Sequence, residues 1–323
     1  MGERTGKHWG WFGCYAASAL IYGIALVLFL NLPYYHRALN DFARYAMLSL
    51  YGAYLAFSPI YYLSSDTPIT ENRNLQILRY LIAFFRSLCS GRFWRPNKEE
   101  KVSILFLGVK FFFLPIMLTF LGNHVAYFER VWRNPEAYVF YYIFISALFL
   151  IDVAIFAFGY LFEFDAWKNK TRSVEPTMLG WFVALACYPP FNRMWSVPWG
   201  ANDETIYWGE TSTTIMRFIT GTLLVIYTLA SVALGPKASN LTNRGIVSAF
   251  PYSIIRHPAY ISKVLMWWIT MLPRINISFV LGMGFWTFIY FLRTITEERH
   301  LMADPDYQAY CKKVRWRFVP GLY

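Results

Sequence analysis

Two short stretches near the carboxyl end carry residue types that could bind a charged ligand. The first ends at Lys263 and reads Phe-Pro-Tyr-Ser-Ile-Ile-Arg-His-Pro-Ala-Tyr-Ile-Ser-Lys. Pro258 suits the first turn of a helix, because its missing N–H would have no partner there. Arg256 and His257 would then lie at the helix start, with Tyr260 and Lys263 on the face of Arg256. Free N–H groups and cations at a helix start bind carboxylates and phosphates. An interfacial Arg-His pair touching lipid headgroups explains these residues equally well.

The second stretch, from Arg293 to His300, reads Arg-Thr-Ile-Thr-Glu-Glu-Arg-His. Arg293 and Glu297 are four residues apart, so taken alone they favour an ion pair on a helix surface. Glu297 and Glu298 beside an arginine suggest another use, in which the carboxylates bind a cationic ligand and the arginine orients an anionic one. Glu298 or His300 could also act as a base towards an amine ligand.

Apolar runs that would position these residues fill most of the chain. Of its 323 residues, 57% are hydrophobic and 15% are charged, whereas soluble domains carry about 25% charged residues. A helix that crosses a bilayer needs about 20 predominantly apolar residues. We therefore predict an all-α, polytopic integral membrane helix bundle with about eight transmembrane helices, at 11–32, 46–64, 102–122, 137–162, 177–191, 213–235, 259–273 and 276–293. The first run is too long for a signal-peptide core and indicates a retained helix.

Basic residues are unevenly distributed between the two sides of this predicted bundle. With the N-terminus in the cytoplasm, the inside segments hold 21 lysines and arginines and the outside loops hold six. This bias places both termini in the cytoplasm, and with them the two stretches described above. The net charge of +11 is then explained by basic loops that face anionic lipid, and we expect no nucleic-acid partner.

Outside these two stretches the sequence predicts structural elements and suggests no catalytic role. Residues 1–235 predict membrane helices of unassigned role, with an amphipathic interfacial segment near 71–95. The four cysteines lie far apart without paired spacing, so they predict neither a disulfide framework nor a metal site. Gly282 and Gly284, in the last predicted span, indicate a close helix contact. The sequence does not indicate an oligomeric state.

Taken together, the motifs resemble the isoprenylcysteine carboxyl methyltransferase family and the related phospholipid N-methyltransferases. The resemblance covers about 236–323 and consists of Arg-His-Pro-x-Tyr, a helical hairpin, Arg-x-x-Thr-Glu-Glu, Tyr307 with Tyr310, and a Val-Arg-Trp-Arg-Phe-Val-Pro-Gly tail. This chain departs from the family at Ser262, where glycine is common, and in a Phe-Pro-Tyr lead-in where Gly-Pro-Tyr is usual.

The resemblance implies that 236–323 is a methyltransferase-like catalytic region that uses S-adenosylmethionine at the cytoplasmic face. By match to the family motifs, the cofactor-binding candidates are Arg256, His257, Pro258, Tyr260 and Glu297. The catalytic candidates, near the point of methyl transfer, are Arg293 and Glu298. The implied acceptor is a membrane-embedded amphiphile, either the carboxylate of a prenylated-cysteine-like group or a lipid amine. Arg293 favours the carboxylate, because an arginine can hold it through two parallel hydrogen bonds.

Two other functions compete with this one. The Tyr-Cys-Lys-Lys-Val segment at 310–314, with Arg317, Pro320 and Tyr323, also resembles the ending of NADPH-dependent sterol reductases. Against this, the chain lacks the asparagine and the Gly-Asp-Leu that usually follow the Arg-His motif of those enzymes. The other alternative is a non-enzymatic membrane scaffold or transporter. Few charges within the spans and no visible inverted repeat argue against transport.

Overall fold

Helices dominate the computed structural model, which describes residues 2–64, 72–91, 95–134 and 138–322. The α-helices are α1 (Gly2–Asn31), α2 (Pro33–Ala38), α3 (Asp41–Ser64), α4 (Arg73–Cys89), α5 (Lys98–Arg133), α6 (Val139–Leu161), α7 (Met178–Ala186), α8 (Phe191–Met194), α9 (Glu210–Leu234), α10 (Pro258–Met271), α11 (Ile277–Leu301) and α12 (Pro305–Lys313). Two short strands, β1 (Ser173–Val174) and β2 (Thr242–Asn243), pair in antiparallel register. Short 3₁₀ turns lie at Asp165–Trp167, Gly235–Lys237 and Leu272–Arg274.

Within the described residues, five helices are long and apolar enough to cross a membrane, namely α1 from Gly10 onward, α5, α6, α9 extended to Lys237, and α11. An all-α polytopic bundle is therefore confirmed. Three of the predicted spans correspond to α3, α7 and α10, which are not among these five helices. Helix α7 has nine residues, so it rises only about 14 Å against about 30 Å of hydrocarbon. The count of eight spans and the cytoplasmic placement of the termini stay predictions.

The chain divides into two compact units, Met1–Gly122 and Asn123–Tyr323. In the first unit α1 packs against both α3 and α4. Asn74 of α4 donates a hydrogen bond from its side-chain amide to the Ser18 hydroxyl of α1, at 2.9 Å. A polar pair of this kind fixes the register of two helices where the surrounding apolar groups cannot.

Helix α4 occupies most of the segment predicted to be amphipathic, of which residues 71 and 92–94 lie outside the described ranges. Asn72 caps the helix by accepting a hydrogen bond from the N–H of Leu75 at 2.9 Å. Residues 73–89 of this segment are helical. The exposed apolar side chains on α4 are Leu81, Ile82, Phe85 and Leu88. An exposed apolar stripe on a basic helix suits a membrane surface, and that location stays a prediction.

The second unit contains both chemically promising stretches of the chain. Here α9 packs against α6 and α10, while α11 packs against α7 and α10. Ile145, Leu224 and Met266, from α6, α9 and α10, form a buried apolar cluster between these helices. Helices α10 and α11 form the expected hairpin, joined through the turn at Leu272–Arg274. The hairpin brings the start of α10 and the end of α11 to the same end of the unit.

Two glycines of this unit allow backbone segments to approach unusually closely. A Cβ atom on Gly282 would lie 2.1 Å from the carbonyl oxygen of Pro198, and one on Gly159 would lie 2.0 Å from that of Ala238. Any side chain at these positions would force the backbone apart. The approach at Gly282 is close as predicted, but its neighbour is the non-helical segment at Pro198, so a contact between two helices is wrong at this position. A Cβ on Gly284 would meet nothing within 4 Å.

Candidate active site

Helix α10 begins where its proline predicts. His257 is the N-cap and Pro258 the first helical residue. Just before the helix, the backbone N–H groups of Arg256 and His257 donate to the carbonyls of Trp316 and Arg317, at 2.9 and 3.0 Å. The carboxyl-terminal tail therefore pairs with the segment that leads into α10. This pairing fixes the backbone from which the Arg256 and His257 side chains extend.

Glu298, near the end of α11, is in contact with three cationic or potentially cationic side chains. Its Oε1 accepts a hydrogen bond from Arg256 Nε at 2.7 Å and lies 3.0 Å from His257 Nε2. Its Oε2 accepts a hydrogen bond from Arg317 Nε at 2.8 Å. Only 7% of Glu298 is exposed, and a carboxylate so buried needs such partners. The end of α11, the start of α10 and the tail thus meet at one charged centre.

Arg256 holds the tail as well as Glu298. Its Nη1 donates to the carbonyls of Val314 and Arg315, at 2.9 and 2.7 Å. Burial opposes the charge on this guanidinium, but the hydrogen bond to Glu298 and its negative charge outweigh burial and raise the pKa of Arg256 above its ordinary value. The anion at this helix start is thus the protein's own Glu298.

Glu297, the neighbouring carboxylate, faces a different part of the site. Its Oε2 accepts a hydrogen bond from the Tyr260 hydroxyl at 2.5 Å. The Tyr260 ring in turn stacks on that of His257, with centroids 5.5 Å apart and planes inclined by 6°. Within the described ranges, Oε1 of Glu297 makes no hydrogen bond. Consecutive helix positions differ by about 100° in direction, which separates the surroundings of Glu297 from those of Glu298.

Arg293 lies buried one turn before Glu297 on α11. Its Nη2 donates a hydrogen bond to Oδ1 of the Asn240 side chain. Cations are attracted to aromatic faces, and the guanidinium lies 5.3, 5.8 and 5.9 Å from the ring centres of Tyr260, Tyr188 and Tyr290. The surface ion pair between Arg293 and Glu297, favoured by their spacing alone, is wrong. Across the described ranges both residues have other partners.

One family model matches the part of the chain that contains α10 and α11. Residues 212–304 match the family model described as phospholipid methyltransferase. The match begins within α9 and ends just before α12, so the tail that carries Arg317 lies beyond it. No curated protein and no solved structure matches the chain.

The family match confirms the resemblance of the carboxyl-terminal region to the isoprenylcysteine carboxyl and phospholipid methyltransferases. Together with the apolar helices, it supports a membrane methyltransferase. The seven predicted site residues all fall inside the matched range. The match starts earlier than the predicted resemblance, at 212 instead of 236.

The range that matches phospholipid methyltransferases contains all seven predicted residues, and the fold brings them together. Six are linked by direct contacts that run through His257, Tyr260 and Glu298, and the seventh, Pro258, starts α10. Their roles in binding and catalysis stay predictions. In the part of the chain that the structure describes, no group of three His, Cys, Asp or Glu side chains could hold a metal ion.

Two contributors to the site carried no usable signal in the sequence. Asn240, in the loop after α9, donates from Nδ2 to the hydroxyls of Tyr160 and Tyr188, at 2.7 and 3.2 Å, while its Oδ1 binds Arg293. No motif distinguishes this asparagine from others in the chain. Arg317 belongs to the basic tail motif, but the motif does not reveal that it binds a carboxylate on α11.

A further buried polar group lies beside the candidate site. Asp152 of α6 accepts hydrogen bonds from two hydroxyls of α9, those of Tyr227 and Ser231. The ammonium of Lys263 lies 5.3 to 5.8 Å from the ring centres of Trp267, Tyr227 and Tyr290. The guanidinium of Arg293 is 5.9 Å from the centre of the same Tyr290 ring, so Lys263 and Arg293 both place a cation near it.

Proposed function

We propose that this protein transfers a methyl group from S-adenosylmethionine to a membrane-embedded amphiphile at the cytoplasmic face. One observation carries the proposal: the start of α10 and the end of α11 meet, through His257 with Glu298 and Tyr260 with Glu297. This meeting lies inside the range that matches phospholipid methyltransferases. The resulting centre combines carboxylates, cations and aromatic faces.

The chemistry of the site fits this cofactor, which carries an ammonium, a carboxylate and a sulfonium. Glu297 has one oxygen bound by Tyr260 and another without a hydrogen bond in the described ranges, so it would hold the ammonium. When bound, the cofactor supplies the methyl group. The side chains of this protein supply orientation, and alignment of the reacting groups provides most of the acceleration.

Glu298 acts as a positioning residue in this proposal. Both of its oxygens are engaged by protein cations, so it holds Arg256, His257 and the tail in place. A carboxylate stabilised by several cations is a weak base, which disfavours deprotonation of an amine acceptor by Glu298. An acceptor that is already anionic needs no such base.

A carboxylate is the acceptor class that we infer from the cations of the site. Arg293 and Lys263 place two cations around the Tyr290 ring. Positive charge there would orient an anionic headgroup and exclude a cationic one. The cytoplasmic orientation of the site rests on the excess of basic residues in the predicted inside segments. An amphiphile would enter sideways from the inner leaflet.

Titration calorimetry on the full chain in nanodiscs tests the cofactor. S-adenosylhomocysteine should bind the wild-type protein, and Glu297→Gln should raise its Kd about tenfold or more, because a charge-assisted hydrogen bond is lost. Glu129→Gln is the matched control, since Glu129 is an exposed glutamate paired with Arg133. It should bind like wild type.

Other outcomes of the titration would reject the proposal. Binding of NADPH without binding of S-adenosylhomocysteine would favour the sterol-reductase-like alternative. Binding of neither would favour the scaffold. The acceptor class is tested by mass spectrometry of lipids and lipidated peptides from cells with and without the gene. A methyl ester on an amphiphile should depend on the protein, and a methylated lipid amine in its place would reject the carboxylate.

A further inference from the structure

Arg217, in the first half of α9, is a buried arginine that the methyltransferase site does not use. It is 5% exposed. Its Nη2 donates to the Tyr142 hydroxyl at 2.9 Å, whereas Nε and Nη1 have no hydrogen-bond partner in the described ranges. Burying a charged donor without an acceptor is unfavourable. An arginine in this state is poised to bind an acceptor from outside the chain.

Aromatic rings hold this guanidinium in place. Its carbon atom lies 4.0 Å from the ring centre of Tyr138, 4.9 Å from that of Tyr141 and 5.1 Å from that of Tyr142. Such contacts orient an arginine without neutralising its charge. Among the described residues, no carboxylate forms an ion pair with Arg217. Within the described ranges the guanidinium is thus held by aromatic rings and one hydroxyl, without a carboxylate in ion-pair contact.

Arg217 also lines a cavity of about 470 Å³ between α6 and α9. Cavities of about 300–1,000 Å³ hold small organic ligands. Apart from Arg217 the lining is mostly aromatic or small, and consists of Tyr138, Tyr141, Phe144, Thr214, Phe218, Gly221, Thr222 and Val225. Phe218 is 77% exposed, so the cavity opens at an apolar rim. A ligand that fits would combine an anionic head with an apolar chain.

This cavity is remote from the methyltransferase site. Arg217 and Leu234 are 17 positions apart on α9, which corresponds to about 25 Å along the helix axis. Asn240, which contacts Arg293, follows the far end of the same helix. A ligand at Arg217 therefore occupies the opposite half of α9.

We propose that the cavity between α6 and α9 is a second ligand site, which binds the oxyanion head of an amphiphile on Arg217. The free Nε–H and Nη1–H groups donate to the oxyanion, and the wall formed by Phe144, Phe218 and Val225 contacts the apolar chain. A carboxylate or a phosphate diester satisfies this chemistry, so a fatty acid and an anionic phospholipid are its two possible sources.

Native mass spectrometry on the detergent-extracted, delipidated full chain tests the site. Oleate is compared with methyl oleate, which has the same chain without the charge, and dioleoylphosphatidylglycerol represents the phospholipid source. Oleate or the phospholipid should bind at one saturable site, and methyl oleate should not. Arg217→Gln should raise the Kd about tenfold or more, because two charge-assisted hydrogen bonds are lost. Arg274→Gln, which removes an exposed arginine, is the matched control.

A second variant keeps the test valid if Arg217→Gln does not fold. Thr222→Phe places a ring in the cavity from an exposed lining position and leaves Arg217 untouched, so it should also abolish binding. Retention of binding in either folded variant overturns the proposal. Equal binding of methyl oleate would show that Arg217 does not select the ligand. Equal binding of inorganic phosphate would show that no apolar chain is needed, and either result rejects an amphiphile site.

Discussion

At the scale of single residues, two adjacent glutamates have different surroundings and should have different roles. Glu298 is buried and holds Arg256, His257 and Arg317, whereas Glu297 is partly exposed and contacts Tyr260. The first arrangement ties three chain segments together. The second leaves a carboxylate oxygen available to a ligand. Stability and ligand affinity should therefore respond separately to changes at the two positions.

Glu298→Gln should lower the free energy of unfolding by about 3 kcal/mol, because removing one member of a buried ionic cluster leaves the other charges uncompensated. The thermal midpoint of the full chain in detergent measures this loss. Glu297→Gln should leave the midpoint close to that of wild type while weakening binding of S-adenosylhomocysteine. An unchanged midpoint for folded Glu298→Gln would contradict the structural role of this carboxylate.

At the scale of secondary-structure elements, the start of α12 is joined to the small β-pair. Asp304 caps α12 by accepting a hydrogen bond from the N–H of Asp306 at 3.0 Å. Its other oxygen accepts hydrogen bonds from Asn243 at 2.7 Å and from Arg172 at 2.9 Å. Burial alone would raise the pKa of Asp304, but these hydrogen bonds outweigh burial and lower the pKa below its ordinary value.

Asp304→Asn should therefore destabilise the protein by about 1 kcal/mol at neutral pH, the usual effect of weakening a helix cap. A carboxyl group whose pKa is depressed by folding stabilises the fold above its unfolded pKa of about 3.9, and loses this effect as pH falls through the folded value. The difference in thermal midpoint between wild type and Asp304→Asn should stay constant down to about pH 4.5 and narrow below about pH 4.

Asp41→Asn is the control for that pH series, since Asp41 is exposed and pairs with Arg44 three residues away. Its midpoint difference from wild type should be small at every pH, because exposed ion pairs contribute little. A difference for Asp304→Asn that widens towards low pH would show that the carboxylate does not stabilise α12 in its charged form.

At the scale of the whole molecule, the direction of α11 determines the side of the membrane on which the candidate site lies. Helix α11 has 25 residues and a length of about 37 Å, enough to cross about 30 Å of hydrocarbon. Arg274 precedes α11 and Lys313 is the last residue of α12, which follows it, and both side chains are exposed. The predicted topology places Arg274 outside and Lys313 in the cytoplasm.

Single cysteines introduced into a cysteine-free variant should report this direction. A membrane-impermeant maleimide added to intact cells should label Arg274→Cys, and should label Lys313→Cys only after the membrane is opened. Labelling of Lys313→Cys alone in intact cells would place the candidate site on the outer face and reject a cytoplasmic reaction. The two positions are matched, because each replaces an exposed basic residue.

The sequence by itself determined the helical, membrane-embedded class of this protein and the place of its candidate site along the chain. Long apolar runs leave few alternatives to helices, because a helix satisfies its own backbone hydrogen bonds. The position of Pro258 predicted the start of α10 correctly, since the first turn of a helix accommodates proline without losing a hydrogen bond. These features depend on residues that are close together in the chain, so they can be read from the sequence alone.

Only the tertiary structure decided which charged groups meet. Local spacing favoured an ion pair between Arg293 and Glu297, but Arg293 binds Asn240, 53 positions away, and Glu297 binds Tyr260, 37 positions away. Arg256 and Glu298, 42 positions apart, likewise meet only because the α10–α11 hairpin and the tail pack together. A buried charge takes the partner that packing brings within hydrogen-bond distance, and packing depends on the side chains of several helices at once.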